Sequence, residues 1–258
     1  MPFPNFAGKH ALDAFFTAQD LVAYHRGSGR LPEDLGLAGV IFCYQRGFAR
    51  RALSRQKAES QPALPSEMFI LRDTPRPIGV CLGFGIGAPA ATSLMELFIA
   101  LGVTRFASIG TAGALQQSLA IGDIVLCDRA IRDEGVSHHY LPSEMFIAPS
   151  PDLTERLAAA LAQAGAMPIP GTTWTIDAPY RETVAEARHY QAEGVLTIDM
   201  EASALFAVAQ VRGVQVASAF VISDSLADLV WNPQFESDAV EAGFQTLFTA
   251  AQTALLAE

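Results

Sequence analysis

Short apolar runs recur along this chain. Between them lie segments whose apolar residues repeat with the period of a helix. The runs are Val40–Phe42, Ile78–Leu82, Phe106–Ile109, Ile124–Leu126, Thr172–Ile176, Leu196–Ile198 and Ala217–Ile222. They scarcely alternate between apolar and polar, which marks strands covered on both faces. The clearest helical segments are 89–101, 152–164, 200–211 and 235–254, with a further helical pattern near 10–25. Asp152, with Glu155 three residues on, reads as a helix start of the capping-box type. Strands and helices alternating in this way predict an α/β fold around a mostly parallel or mixed central sheet.

The 258 residues leave room for one large α/β domain or two small ones. No linker, internal repeat or low-complexity tract divides them. Residues 1–258 therefore read as one domain, with 1–38 as an N-terminal arm and Arg55–Pro77 as a surface excursion. Half the residues are hydrophobic and 17% are charged, which excludes disorder and leaves apolar surface suited to a subunit interface. A net charge of −10 argues against nucleic-acid polymers and anionic membranes as partners, while leaving room for a small anion in a local pocket. Cys43, Cys81 and Cys127 lie in apolar runs without CxxC spacing and read as buried free thiols in a reducing cytoplasm. The opening residues, MPFPNFAGKHALDAFF, lack the pattern of a secretory leader. The longest uncharged run, Ile78–Met95, holds four glycines and a proline and does not suit a membrane span.

Four strings are placed where chemistry is done. Gly83-Phe84-Gly85-Ile86-Gly87 follows a strand and precedes a helix. A dinucleotide site would need GxGxxG and an acid about 20 residues on. Here the spacing is GxGxG, and the next strand ends in Ser108-Ile109. The glycines then serve a tight turn, or keep backbone N–H groups close to an anion. Gly110-Thr111-Ala112-Gly113 offers a hydroxyl donor between small residues, or is a turn. Ile198-Asp199-Met200-Glu201-Ala202 carries two carboxylates two residues apart, which share a side if extended and diverge once helical. They make either an acidic helix start or one pocket-facing acid. Ser223-Asp224 ends an apolar strand, where α/β proteins place ligands and where a desolvated acid can donate a proton. The other reading of Asp224 is a loop cap. His138-His139 lacks a third metal ligand and reads as loop; Trp231 and Phe235 read as core or interface.

In this order, GxGxG, GTAG with Gly122–Val125, DMEA and VISD resemble the nucleoside phosphorylase family of the purine nucleoside phosphorylase, uridine phosphorylase and methylthioadenosine nucleosidase type. The match runs from about residue 78 to 226. Ile131-Arg132-Asp133-Glu134-Gly135 with Ser137 is nearest to the uridine phosphorylase branch, and Trp174–Tyr180 falls where the family has its base-stacking loop. The resemblance implies a three-layer α/β/α sandwich around a mixed, partly barrel-like sheet. It implies cleavage of an N-glycosidic bond by a cytoplasmic homodimer or hexamer (a trimer of dimers). It also implies phosphate as co-substrate, with no metal or organic cofactor.

Residue by residue, the resemblance assigns Glu201 to the ribose hydroxyls, Met200 to the face of the sugar, and Thr111 to sugar and phosphate. Asp224 becomes the acid at N7 of the leaving base, Ala112 and Gly113 the floor of the base pocket, and Tyr180 its cover. Gly87 and Arg46 join Thr111 at the phosphate, and His10 is the histidine lent across a dimer to the sugar 5′-hydroxyl. Asp224 favours a purine while the RDEG similarity points to uridine, so the base stays open.

The match departs from the family at the phosphate. Val40–Arg46 lacks the Gly-Asp-Pro of the family loop, Arg46 is shifted, and Ser108 replaces the arginine before GT. Pro179 fills a slot where the family has Phe. Either the anion site is rebuilt from Arg46, Arg50 or Arg51, or water is the nucleophile, or the chain binds nucleosides without cleaving them. The absence of an acid in Val40–Arg51 counts against hydrolysis.

Overall fold

A computed structural model describes residues 6–27, 31, 34–62 and 66–257. Parts of the expected N-terminal arm and of the 55–77 excursion thus lie outside the described residues. The first half of the chain runs α1 (Ala18–Gly27), β1 (Gly39–Cys43), α2 (Arg46–Leu53), β2 (Ala58–Ser60), β3 (Glu67–Leu71), β4 (Ile78–Leu82), α3 (Ala88–Ala100), β5 (Arg105–Ala114) and β6 (Ile124–Asp133). The second half runs α4 (Ser137–Tyr140), β7 (Phe146–Ile147), α5 (Pro151–Gln163), β8 (Ile169–Ile176), α6 (Val184–Ala192), β9 (Thr197–Asp199), α7 (Ala202–Arg212), β10 (Gln215–Ser225), β11 (Asn232–Pro233) and α8 (Asp238–Leu256).

The strands form one mixed sheet in the order β11-β10-β6-β8-β9-β5-β1-β4-β3-β2, with β7 beside β6. β10 also pairs with β5, so β5, β10, β6, β8 and β9 close into a barrel-like ring. The parallel pairs β1–β4, β1–β5 and β5–β10 explain the unalternated runs, because helices cover both faces. On β1, Ile41 and Cys43 face the core under α2, α5 and α8, while Val40 and Phe42 face that under α1, α3 and α7. Phe42 packs among Phe84, Phe98 and Phe106 at centroid distances of 5.5, 6.1 and 5.7 Å. Each fully buried side chain of this kind contributes about 1.5–3 kcal/mol. No helix of the described residues is long and apolar enough to cross a membrane.

Several local expectations are corrected. Gly110–Gly113 is not a turn but part of β5, and Ser223-Asp224 is not a loop cap but part of β10. The pairing of these two strands carries both past their apolar runs, with a bulge between Ile222 and Asp224. Within the 55–77 excursion lie β2 and β3, and Met68, Ile70 and Leu71 of β3 are buried against β4. Helix α5 starts at Pro151 after Ser150, and no side chain caps it. The observed capping box is Thr183 with Glu186 at α6, a helix the periodicity did not predict. The three cysteines are free and buried, as read.

Candidate active site

A cavity of about 650 Å³ opens at the ring, walled by β5, the β9–α7 junction, β10 and the turn after β8. Local geometry explains how each wall turns its polar groups inward. At the β9–α7 junction, Asp199 accepts hydrogen bonds from Thr175 Oγ1 at 2.6 Å, Thr173 Oγ1 at 3.2 Å, Glu201 N at 2.8 Å and Ala202 N at 2.7 Å. Asp199 thus stops the helix from starting before Ala202 and leaves Met200 and Glu201 at the cavity. Both acids of DMEA line the cavity, and Asp199 spends its oxygens on the backbone and on Thr173 and Thr175.

Glu201 is 7% exposed, and its Oε1 accepts the Gly87 N–H at 2.6 Å. Burial, and then the neighbouring Asp199, push its carboxyl up to about 8; the Gly87 bond pulls the other way. Gly87 itself stands behind Glu201 and is not part of the cavity wall.

Asp224, 8% exposed, accepts from Ser223 Oγ at 2.8 Å on Oδ1 and from Trp231 Nε1 at 3.0 Å on Oδ2. It pairs with Gly113 across the strands, and a Cβ on Gly113 would meet Asp224 Oδ2 at 3.3 Å and Leu226 Cδ1 at 2.9 Å. Glycine there makes the room the acid uses. Glu182 shares the wall; burial, then Asp224 and Glu186, raise it to about 7. Tyr180 stands exposed at the mouth.

Thr111 Oγ1 accepts from Gln45 Nε2 at 2.8 Å, and Tyr44 OH lies 3.0 Å from the buried Ser108 Oγ. None of the described residues lining the cavity is Lys, Arg or His. Arg46 and Arg50 lie outside it, both held by Glu67, with Arg50 Nε at 3.0 Å from Oε2. The same carboxylate abuts Gly83 of the glycine loop. His10 lies elsewhere, its Nε2 3.0 Å from the His138 carbonyl oxygen.

The structure therefore brings Thr111, Ala112, Gly113, Tyr180, Met200, Glu201 and Asp224 to one cavity and does not bring Arg46 or Gly87; His10, expected to serve a neighbouring subunit, lies away from the cavity of its own chain. For Trp231 and Phe235 the core reading is corrected: both are exposed and both line this cavity. Gln45 and Glu182 were not singled out from the sequence. The place of Gln45 two residues beyond β1 was the one signal for it. Among the described residues no group of three or more His, Cys, Asp or Glu is placed to hold a metal ion.

Comparison with known proteins agrees with this geometry. Residues 66–257 match the model of the phosphorylase superfamily. The chain is 29% identical over 195 residues to uridine phosphorylase of Haemophilus influenzae, covering 70% of this chain and 77% of that one. It is 32% identical to guanosine phosphorylase of Halorubrum lacusprofundi, covering 55% and 59%, so that match spans less than two thirds of the relative. The same holds for the DeoD-type purine nucleoside phosphorylase of Bacillus cytotoxicus, 29% identical over 56% of this chain and 62% of the relative. Among solved structures, uridine phosphorylase of Vibrio fischeri superposes with a TM-score of 0.76 at 27% identity, covering 86% of this chain and 94% of that one. Purine nucleoside phosphorylase of Toxoplasma gondii, in complex with immucillin-H, shares the fold at a TM-score of 0.77 and 19% identity, covering 86% and 93%. These relatives and neighbours are nucleoside phosphorylases, which are pentosyltransferases, and the chain belongs to the phosphorylase superfamily.

Proposed function

We propose that this protein cleaves the N-glycosidic bond of a nucleoside with inorganic phosphate, releasing free base and ribose 1-phosphate. One observation carries the reading: Met200, Glu201 and Thr111 stand in the same cavity as Asp224, so one substrate can touch both groups. As the C1′–N bond breaks, its electron pair passes to the base while a phosphate oxygen supplies the pair for the new C1′–O bond. The sugar becomes positive between these events, and the Glu201 carboxylate on its hydroxyls strengthens there. Asp224 gives the departing base a proton, turning a poor anionic leaving group into a neutral one. An acid at that place suits N7 of a purine, which makes a purine nucleoside the favoured substrate.

The reading needs no metal and no organic cofactor. It includes a cytoplasmic homo-oligomer, a homodimer or a trimer of dimers, in which the exposed Phe6, Phe15, Phe16 and Tyr24 find cover.

A second reading, hydrolysis by water, is favoured by the neutral wall of Tyr44, Gln45 and Thr111, where a dianion would want a guanidinium fork. Under phosphorolysis, phosphate must draw Arg46 or Arg50 away from Glu67. Product analysis with inosine, guanosine, adenosine, uridine and methylthioadenosine, with and without phosphate, separates the two. Base release that requires phosphate, with a raised phosphate KM in Arg46→Ala, supports phosphorolysis. Release indifferent to phosphate makes the protein a nucleosidase. Binding without turnover across the panel refutes both.

A further inference from the structure

Beyond Asp224 the chain folds back over the end of β10. Asp224 pairs with Pro233 and Ser225 with Asn232, and Gln234 N donates to Ser223 O at 2.9 Å. This hairpin sets Trp231 at the cavity beside Phe235, ring centroids 6.1 Å apart. The indole is 60% exposed, so core packing does not account for its place. Its one polar atom is bonded to Asp224 Oδ2, and the Ser223 hydroxyl takes Oδ1. A carboxyl with one donor on each oxygen cannot rotate freely about its Cβ–Cγ bond, and its remaining lone pairs keep fixed directions.

We propose that Trp231 is a positioning residue that acts through Asp224, fixing the plane of the carboxyl and hence the path of its proton to the leaving base. The inference rests on the reading of Asp224 as the base-side acid and holds for either nucleophile. In the step, the C1′–N9 pair moves to the purine, N7 takes the proton from the Asp224 carboxyl, and a carboxylate remains. The Trp231 N–H and Ser223 O–H already point at that carboxylate and stabilise it. The ring, with Phe235, walls the base.

Guanosine and 7-methylguanosine test this together. The 7-methyl base leaves as a neutral molecule without taking a proton, so it does not need Asp224. Trp231→Phe keeps the ring and loses the N–H. We expect kcat on guanosine to fall about tenfold or more with KM within about twofold, and turnover of 7-methylguanosine to stay within about threefold. Equal loss on both substrates, or no loss on guanosine, overturns the inference while leaving the functional reading intact. Wild-type protein that cleaves no purine nucleoside of the panel overturns the inference, and silence across the whole panel overturns the functional reading as well. Should Trp231→Phe fail to fold, the indole N–H resonance of Trp231 in the intact protein serves instead. It must move in Asp224→Asn, and an unmoved resonance refutes the contact.

Discussion

Gly87 donates its backbone N–H to Glu201 Oε1 across 114 residues of sequence, and does so at a φ of +95°. The glycine loop thereby aims the acid at the head of α7. A Cβ at Gly87 would meet only Pro89 Cδ, at 3.9 Å, so space is available and the backbone conformation is the constraint. Gly87→Ala must adopt an extended positive-φ conformation that is essentially reserved for glycine, at a cost of about 1–3 kcal/mol, or abandon the hydrogen bond. We expect kcat/KM to fall at least about tenfold while far-UV circular dichroism stays unchanged. Unaltered kinetics would show that the bond does not orient Glu201.

The raised carboxyl of Glu201 gives a pH signature. Folded, it holds its proton up to about 8, against an ordinary value of 4.5. Between those values the folded chain binds more protons than the unfolded one. Stability therefore falls as pH rises through the window, by up to about 1.4 kcal/mol per unit, and levels off above it. Glu182, raised to about 7, adds to the same slope at lower pH. Urea unfolding of Glu201→Gln should show a slope that ends near pH 7 instead of 8. Under the proposed mechanism activity runs the opposite way, because the sugar would need the carboxylate, so wild-type kcat/KM should climb towards pH 8.

Replacing Asp224 by Asn leaves one carbonyl oxygen for one of the Trp231 and Ser223 donors, sets an amide N–H against the other, and removes the proposed proton donor. We expect kcat to drop about 10²–10⁴-fold with little change in thermal midpoint. Burial still raises Glu182 in this variant, but the like charge of Asp224 is gone. Its carboxyl should then titrate lower than in wild type, which side-chain carbon NMR can follow.

Thr183 accepts from Glu186 N at 3.3 Å and its own N–H donates to Glu186 Oε2 at 3.1 Å, closing both ends of the capping box. Thr183→Ala should cost about 1 kcal/mol, a fall in Tm of about 2–4 °C. Thr183→Ser should recover most of it. A midpoint unmoved in the alanine variant would mean the cap contributes nothing to global stability.

Ile78–Leu82 shows what local pattern can reveal: the predicted run and β4 coincide. Phe106–Ile109 shows where it fails, since β5 continues through five more residues, Gly110 to Ala114, that locally resemble a turn. What makes them strand is pairing with β10, a partner more than a hundred residues away. The same pairing turns Ser223-Asp224 from a loop cap into a strand residue facing a cavity. Glu201, Met200, Thr111 and Asp224 were legible because motif order carried them. Trp231 was not, because a two-residue strand has no periodicity to read. The engagement of Arg46 was hidden for another reason: its partner Glu67 begins a strand inside a stretch whose composition reads as surface.

The five-strand ring has a consequence for how the chain matures. Its members come from 105–114, 124–133, 169–176, 197–199 and 215–225, and β10 is the member that pairs directly with both β6 and β5. A nascent chain that has not yet released β10 from the ribosome holds an open arc with two unsatisfied edges, the kind of surface that recruits other strands. Arrival of that one segment removes both edges and delivers Asp224 opposite Gly113 in the same stroke. Protection from aggregation and competence for chemistry are therefore acquired together, and the appearance of activity during synthesis or refolding reports the moment the ring shuts.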